Sequence, residues 1–174
     1  MGTGTAFVMA ENGRARHLGG SGVGGGTLLG LSNRMLNVRN FSDIVEMAKS
    51  GDLKHVDLSI GDISHNELVG MPEDTTASNF GKMIDLASKD DIALGIINMV
   101  FQTIGMLAIF CARNEKVGHV VLTGNLTNVP QSQKVFEGLT RLHGMAFHIP
   151  ENAEFATAVG AALIDTGSPS AKAI

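Results

Sequence analysis

The stretch from Ile92 to Ala112 constrains the fold more than any other part of this 174-residue chain, because most of its 21 positions are apolar. As a helix it is about 31 Å long, which is enough to cross a bilayer. Asn98 and Gln102, however, lie one turn apart on one side of that helix, with Thr103 beside them. These polar side chains favour a buried or interface helix over a membrane span. We therefore expect a core helix with a dimer seam or lobe interface along it.

The composition is that of a globular protein, with 44% hydrophobic and 17% charged residues. Thirteen basic against 17 acidic residues give a net charge of −4 with no long basic run, which argues against nucleic acid and membrane surfaces as partners. The single cysteine, Cys111, cannot form an internal disulfide, so we expect a cytoplasmic protein. We expect one domain over residues 1–166 and a flexible tail over 167–174, which contains mostly Gly, Ser and Ala.

The first half of the chain predicts a hairpin followed by helices and a strand. Thr5–Ala10 and a second strand through Leu18 flank the turn signal Glu11-Asn12-Gly13. Further along, apolar spacing and capping residues predict helices and one alternating strand. The predicted helices are Thr27–Leu36, Asn40–Lys49 and Thr75–Ala87, and the predicted strand is Val56–Ile63.

The second half alternates strands and helices in the manner of a parallel sheet with crossover helices. The predicted order is strand Val117–Thr123, helix Pro130–Leu142, strand Met145–Ile149 and helix Ala153–Ile164. Ligands of such sheets bind beyond the carboxyl ends of the strands. Thr123-Gly124-Asn125 is therefore a candidate ligand contact.

A glycine block carries the main functional signal. Six of the eight residues from Gly19 to Gly26 are glycine, and the block leads into the predicted helix at Thr27. Backbone amides at such a helix start can bind phosphate, whereas the alternative is a merely flexible loop. The block is neither a Walker loop nor a dinucleotide fingerprint, because the Lys-Ser/Thr pair and the strand-first spacing are missing. The turn Gly2-Thr3-Gly4-Thr5 is a second candidate phosphate contact, or simply a conformational turn.

Charged and metal-binding residue types give little further information about function. Arg14, Arg16 and His17 precede the glycine block and could pair with an anionic substrate group or form a solvated strand edge. The six histidines show none of the spacings of metal ligands, so we expect no zinc site built by the protein. Cys111 lies inside the apolar helix, where a thiol behaves as a small hydrophobe.

Taken in order, several blocks resemble the carboxyl-terminal part of type II (eukaryotic-like, Fumble-type) pantothenate kinases. The blocks are Gly2-Thr3-Gly4-Thr5, Gly19 through Thr27, Gly51-Asp52, Thr76-Ala77-Ser78-Asn79-Phe80-Gly81 and Glu151-Asn152-Ala153-Glu154-Phe155. The resemblance implies an α/β fold: a ribonuclease-H-like lobe, a mixed sheet with flanking helices, from the acetate and sugar kinase, Hsc70 and actin fold. It also implies transfer of the ATP γ-phosphoryl group to pantothenate, the first step of coenzyme A synthesis. It further implies Mg²⁺ with the ATP, a homodimer, and coenzyme A or an acyl-CoA as a possible inhibitor.

The resemblance assigns site residues position by position. Nucleotide contacts fall on Thr3, Gly4, Thr5, Gly25, Gly26, Thr27, Leu28, Leu29, Phe41 and Asn125. Substrate contacts fall on Arg16, His17 and Gly19. This chain departs from some relatives by having His17 where they have arginine, with Arg16 one step earlier. A neutral imidazole holds a carboxylate less firmly than a guanidinium does.

The family's amino lobe, with its Asp-Gly-Gly-Thr turn, magnesium-orienting aspartate and glutamate base, has no counterpart before Gly2. We therefore expect the isolated chain to bind nucleotide weakly without turnover, because phosphoryl transfer needs both walls of a closed cleft. The chain could be a truncated form, a frame with a misplaced start, or one subunit paired with an amino-lobe polypeptide. The alternatives are a non-catalytic dimerisation subunit that binds nucleotide or acyl-CoA, and an unrelated doubly wound binding domain.

Overall fold

The computed structural model describes residues 1–64 and 70–165 and shows a mixed α/β architecture. Within them the strands form three two-stranded sheets. The strands are β1 (Thr5–Glu11), β2 (Arg14–Ser21), β3 (Leu58–Ser59), β4 (Thr76–Ser78), β5 (His119–Val121) and β6 (Ala146–His148). The helices are α1 (Gly25–Leu36), α2 (Phe41–Met47), α3 (Ile60–Ile63), α4 (Lys89–Asn114), α5 (Gln131–His143) and α6 (Ala156–Asp165). The expected tail at 167–174 lies outside the described residues, and the single-domain boundary at 166 stays a prediction.

The predicted hairpin is confirmed, although its second strand is longer than expected. β1 and β2 pair antiparallel around a tip where Asn12 and Gly13 both have positive φ, 50° and 73°, as a tight hairpin turn requires. The register shifts between Phe7 and Val8, so that Leu18 is left without a partner as a bulge. Because β2 continues to Ser21, the expected loop over Gly19–Gly26 is wrong in its first part, which is strand.

The apolar segment forms the core helix α4, as predicted. Ser88 caps its first turn by accepting from the Asp91 amide, and acidic residues at the amino end favour the helix dipole. α4 is the one helix of the described ranges that is long and apolar enough to cross a membrane, but 61% of its most apolar window is buried inside the chain. That burial is what a core helix of a soluble protein shows.

Helices α1, α2 and α5 pack around α4 and bury its apolar face. Leu28 of α1 and Ile44 of α2 are completely buried in this core. On the α5 side, Phe101 meets Phe136 edge to face with ring centroids 5.8 Å apart. The absence of a side chain at Gly105 lets α5 approach, because a Cβ there would overlap the Leu139 side chain.

Two predicted elements are wrong. The expected strand Val56–Ile63 contains only β3, because Ser59 accepts from the Asp62 amide and starts the short helix α3 instead. The expected helix Thr75–Ala87 is replaced by β4 and an irregular segment. Phe80 and Met83 have positive φ values of 56° and 30°, which are incompatible with a helix.

The parallel pair predicted for the second half is present. β5 and β6 run parallel, with His119 opposite Ala146 and Val121 opposite His148, and α5 is the crossover between them. The pair is shorter than expected, three residues on each strand. It shows the mixed α/β character that we expected, while the finer assignment to a ribonuclease-H-like lobe remains a proposal.

Candidate nucleotide site

The Gly-Thr turn at the start of the chain lies against the amino end of α1. The Gly25 amide donates to the Gly2 carbonyl at 2.8 Å, and the Gly26 amide donates to the Thr3 carbonyl at 2.9 Å. The turn is closed by a 2.9 Å hydrogen bond from the Gly2 amide to the Gly4 carbonyl. The two segments singled out as phosphate contacts are therefore one structural unit.

Glycine 24 makes this contact possible. A Cβ atom on Gly24 would lie 2.6 Å from the Thr3 carbonyl oxygen and 2.8 Å from the Gly4 Cα. A Cβ on Gly26 would lie 2.9 Å from the Thr3 side chain. The glycine block is therefore not merely flexible, because close backbone approach requires glycine here. The close neighbour observed is the chain's own turn.

A third segment, the turn after β5, lies against the start of the chain. Gly124 has φ 95° and lies against the backbone of Met1, so that a Cβ there would overlap the Met1 carbonyl. The Leu126 amide donates to that carbonyl at 3.4 Å, and the Gly124 amide donates to Ala153 at 2.8 Å. Asn125 is exposed beside this junction. The Gly-Thr turn, the start of α1 and the turn at Asn125 thus converge, as the sequence led us to expect.

The hydrogen-bond donors of the site are not those that we expected. Because the Gly25 and Gly26 amides already donate to the turn, they are occupied in this conformation. Thr3 is exposed, and within the described part of the chain its hydroxyl and its amide, like the Gly4 amide, have no hydrogen-bond acceptor. Thr5 differs, since its buried hydroxyl donates to the Val23 carbonyl at 3.0 Å. The turn therefore offers free donors at this place.

The remaining candidate nucleotide contacts have different environments. The Thr27 hydroxyl donates to the Gly22 carbonyl at 3.1 Å and accepts from the Gly24 amide at 3.3 Å. Leu28 is completely buried, so its side chain supports α1 from the core, whereas Leu29 is 36% exposed. Phe41 is half-buried and packs against the core. Of these side chains, only that of Leu29 is substantially open to a ligand.

Two of the candidate substrate residues, Arg16 and His17, lie on opposite faces of β2. Arg16 lies opposite Met9, and its guanidinium forms a 2.5 Å ion pair with Glu115 at the carboxyl end of α4. His17 is exposed and lies opposite Val8, on the other face of the hairpin. Gly19 pairs with Phe7 beyond the bulge. Arg16 and His17 therefore cannot face the same ligand from one position of the hairpin.

The sequence analysis missed a buried polar cluster next to α4. Asp57 is 3% exposed and accepts hydrogen bonds from Asn98 Nδ2 at 2.7 Å, the Phe80 amide at 2.9 Å and Asn79 Nδ2 at 3.3 Å. Asn98 also donates to the Thr76 hydroxyl at 3.3 Å. This cluster explains the buried Asn98 on α4, since it attaches the residue before β3, β4 and the segment after it to the core helix.

Asp91 anchors the beginning of α4. Burial acts to raise the pKa of Asp91, but hydrogen bonds from the Asp52 and Ser88 amides and from His55 hold that pKa well below its usual range. The distances are 2.7 Å from Asp52, 2.8 Å from Ser88 and 3.0 Å from His55. The Ser88-x-x-Asp91 spacing is a capping-box signal that could have identified the role.

Within residues 1–64 and 70–165, no three His, Cys, Asp or Glu side chains gather where they could hold a metal ion. Cys111 is half-buried on α4 with no disulfide partner.

Comparison with known proteins identifies the family of this chain. The sequence model of the family described as Fumble matches residues 1–141. The chain belongs to the Fumble family. A protein named type II pantothenate kinase from Bacillus cereus strain AH820 is 31% identical over 98% of this chain and 63% of its own length. Proteins of the same name from Bacillus anthracis, 30% identical over 98% of the chain, and Staphylococcus epidermidis, 32% identical over 92%, are likewise matched over 63% of their length.

The chain thus spans about three-fifths of the length of these relatives. The family match confirms the resemblance carried by the glycine and Thr-Ala-Ser-Asn-Phe-Gly blocks. The roles of individual residues stay predictions.

Proposed function

We propose that this chain provides the phosphate-binding part of a pantothenate kinase, which transfers the ATP γ-phosphoryl group to the primary hydroxyl of pantothenate. The observation that carries the proposal is the contact between the Gly2–Thr5 turn and the start of α1, with Asn125 beside it. It is supported by membership of the Fumble family and by the names of the relatives. The product would be 4′-phosphopantothenate, and its formation would begin coenzyme A synthesis.

The turn would contact the oligophosphate through the Thr3 and Gly4 amides and the Thr3 hydroxyl. These groups are donors, and they lie at the amino end of α1, where the helix dipole favours negative charge. The Gly25 and Gly26 amides would act indirectly by holding the turn in place. Asn125 and Leu29 would be the contacts toward the nucleoside.

Magnesium would arrive with the nucleotide and be oriented by residues in the portion of the relatives that this chain does not span. The general base would lie in the same portion, because in-line transfer needs a base and a metal-bridged triphosphate in one cleft. We therefore propose that the 174 residues alone bind nucleotide weakly and do not turn over. If the pure chain released ADP only when pantothenate is present, the proposal that it does not turn over would be refuted.

Nucleotide binding is tested by calorimetry with ATP on the chain and on Thr3→Val, which keeps the side-chain shape but removes the hydroxyl. We expect a loss of about tenfold to a hundredfold in affinity, which corresponds to one hydrogen bond to a charged group. Thr157→Val, at an exposed position on α6, is the matched control and should bind ATP as the wild type does. No heat with ATP, or equal affinity of Thr3→Val and the control, would contradict the proposed site.

The pantothenate carboxylate would lie near His17 rather than Arg16, because the Arg16 guanidinium is already paired with Glu115. His17→Arg should then tighten pantothenate binding, measured by calorimetry in the presence of ATP, since a guanidinium can bind a carboxylate bidentately. Arg16→Gln should leave that affinity within twofold. If Arg16→Gln weakens pantothenate binding and His17→Arg leaves it unchanged, the carboxylate lies at Arg16 instead.

We also propose a cytoplasmic homodimer that uses the exposed side of α4. Met99, Thr103, Met106 and Phe110 follow one another at one-turn spacing and are all incompletely buried, with Phe110 56% exposed. Phe110→Glu should convert dimer to monomer in analytical ultracentrifugation. Leu86→Glu, at an 86% exposed position outside α4, should not. A monomeric wild type would contradict this proposal.

The second candidate function is a non-catalytic subunit that dimerises and binds nucleotide or acyl-CoA. Pairing with a polypeptide that carries the remaining lobe would restore kinase activity under the first proposal. Under the second, the dimer would bind acyl-CoA and ignore pantothenate whatever is added.

A further inference from the structure

Helix α6 is apolar on every side. Apart from Thr157, its residues 156–164 are Ala, Val, Gly, Leu and Ile, and its one charge lies at its last residue. A helix of this kind is normally buried, because no side of it suits water. Yet residues 157–163 are all exposed except Gly160, and Val159 is 53% exposed. With ten residues, about 15 Å, α6 is too short to cross a bilayer.

Helix α5 shows what a packed surface helix of this chain looks like. Phe136 and Leu139 are buried in the core, whereas Gln133, Lys134 and Glu137 are exposed on the side that faces water. Because α6 has no such polar side, its composition is not that of a helix that faces solvent. An exposed apolar surface of this kind marks an interaction with another polypeptide.

One face of the parallel pair β5–β6 is also open. Val120 and Phe147 lie on the inner face, where both are partly buried against the core. His119 and His148 are exposed on the opposite face with ring centroids 6.2 Å apart, and Val121 beside them is 56% exposed. Parallel strands are generally covered on both faces. This face is therefore a second surface that the described part of the chain leaves bare.

Both surfaces begin at the same junction. β5 leads into the turn at Gly124, and α6 follows the short turn that starts at Ala153. The Gly124 amide donates to the Ala153 carbonyl at 2.8 Å, which holds the two turns together. Phe155, just before α6, is 56% exposed, and the candidate nucleotide contact Asn125 lies at the same junction. A polypeptide that covers α6 would therefore lie next to the proposed nucleotide site.

The relatives are longer than this chain by enough to cover both surfaces. The chain is matched over 98% of its own length but over only 63% of the length of the Bacillus cereus relative. The unmatched remainder, more than a third of that protein, is large enough to form a domain of its own.

We propose that α6 and the open face of β5–β6 form the docking surface for this unmatched remainder. The contact is apolar, and the small Ala and Gly residues of α6 let the docked part approach the helix backbone closely. The inference rests on the proposed function for the role of the docked part, which would be the second wall of the nucleotide cleft. The surface itself does not depend on kinase activity.

Photo-crosslinking in the full-length Bacillus cereus relative tests what covers α6. Benzoylphenylalanine at the position aligned with Val159 should cross-link to a peptide of the unmatched remainder, identified by mass spectrometry. The same probe at the position aligned with Lys134, which is exposed on α5, is the control and should not. A cross-link to the part that matches this chain, in the same or a second copy, would overturn the proposal, as would no cross-link from the Val159 position.

Val159→Glu measures the cover over α6 in both proteins. In this chain it should shift the melting temperature by less than about 2 °C, because Val159 is exposed. The change to Glu at the aligned position of the relative should lower its melting temperature by more than about 6 °C, because the charge would be buried without a partner. Lys134→Glu and its aligned change should shift either protein by less than about 2 °C.

Equal shifts from Val159→Glu in the two proteins would show that nothing further covers α6 in the relative, and would overturn the proposal. Neither measurement uses ATP or pantothenate. Failure of the proposed function would therefore leave the docking surface in place, and failure of the docking surface would leave the nucleotide site to be judged by its own titrations.

Discussion

Replacing Gly24 by alanine tests whether the glycine block exists for close backbone contact. The φ angle of Gly24 is 178°, which alanine adopts without strain, so the expected effect is steric. The added methyl group would lie within 3.0 Å of three backbone atoms: the carbonyl oxygens of Gly2 and Thr3 and the Cα of Gly4. None of these can rotate away, so either the turn or α1 must move.

The magnitude follows from overpacking, which costs about 1–3 kcal/mol, and the upper end applies because the obstructing atoms are backbone. Alanine caps a helix less well than glycine, which lowers the free energy of unfolding by about 0.5–1 kcal/mol. It also makes the unfolded chain less flexible, which raises that free energy by about the same amount, so the two effects nearly cancel. Gly24→Ala should therefore lower the free energy of unfolding by about 3 kcal/mol. Its urea midpoint should then fall by about 1–1.5 M.

Gly30→Ala is the matched control on the same helix. A Cβ on Gly30 meets no atom within 4 Å, so this variant should gain about 1 kcal/mol from helix propensity. Urea unfolding followed by circular dichroism measures both variants, and ATP titration of folded Gly24→Ala should show reduced affinity because Thr3 has moved. Equal stability of Gly24→Ala and the wild type would refute the close-contact explanation of the glycines.

Three further predictions concern the polar contacts around α4. Asn98→Leu should lower the free energy of unfolding by about 3 kcal/mol in urea, because the buried Asp57 loses its shortest hydrogen bond. The control Gln102→Leu should be nearly neutral. Equal effects of the two variants would contradict the role of Asn98 as a partner of Asp57. Hydrogen bonds from Lys82 and Ser59 lower the pKa of Asp62 to about 2, and the pKa of Asp91 is also lowered. A carboxylate whose pKa is lowered by folding stabilises the fold at pH values above its unfolded pKa of about 4. That stabilisation is lost as the pH falls towards the folded pKa. The difference in free energy of unfolding between wild type and Asp91→Asn should therefore be constant from about pH 7 to 5 and shrink below about pH 4. A pH-independent difference would be inconsistent with that assignment. Arg16→Gln should lower the free energy of unfolding by less than about 1 kcal/mol, because the Arg16 side chain is 64% exposed. In thermal melts this loss should disappear at high salt. A larger loss that salt does not change would show that the Arg16–Glu115 pair is a buried structural contact.

Elements with strong local signals were predictable from the sequence. α4 was expected over Ile92–Ala112 and spans Lys89–Asn114, because its apolar run is long and its capping residues lie beside it. The hairpin tip at Asn12-Gly13 was equally clear, since few residue pairs adopt two positive φ values. In both cases local preference and tertiary packing favour the same structure.

The errors arose where a distant partner decides the local conformation. The alternation in Val56–Ile63 predicted a strand, but the Asp57 side chain is bound by Asn79, Phe80 and Asn98, and Ser59 starts a helix. The segment after β4 was expected to be helical. Instead the amides of Lys82 and Met83 donate to the Val56 carbonyl, a contact that no local pattern reveals.

For the candidate site, the sequence located the segments but not their hydrogen bonds. That the Gly2–Thr5 turn, the glycine block and Asn125 would lie together was implied by the family resemblance, which assigns nucleotide contacts to all three; glycine content and strand order alone gave them as separate candidates. That the Gly25 and Gly26 amides would be occupied by the turn was not predictable, because glycine content does not reveal which acceptor a backbone donor finds. The opposite orientations of Arg16 and His17 follow from strand alternation, while the pairing with Glu115 required the fold.

The unpaired Leu18 shows how this hairpin takes up a change in length. It is one extra residue in β2, yet Val8 stays opposite His17 and Phe7 stays opposite Gly19. The far ends of both strands are held together by the Gly2–Thr5 turn and the start of α1, so a residue added at the Asn12-Gly13 tip would lengthen the loop rather than shift the pairing. Single insertions at the tip should therefore leave Arg16 opposite Met9 and paired with Glu115.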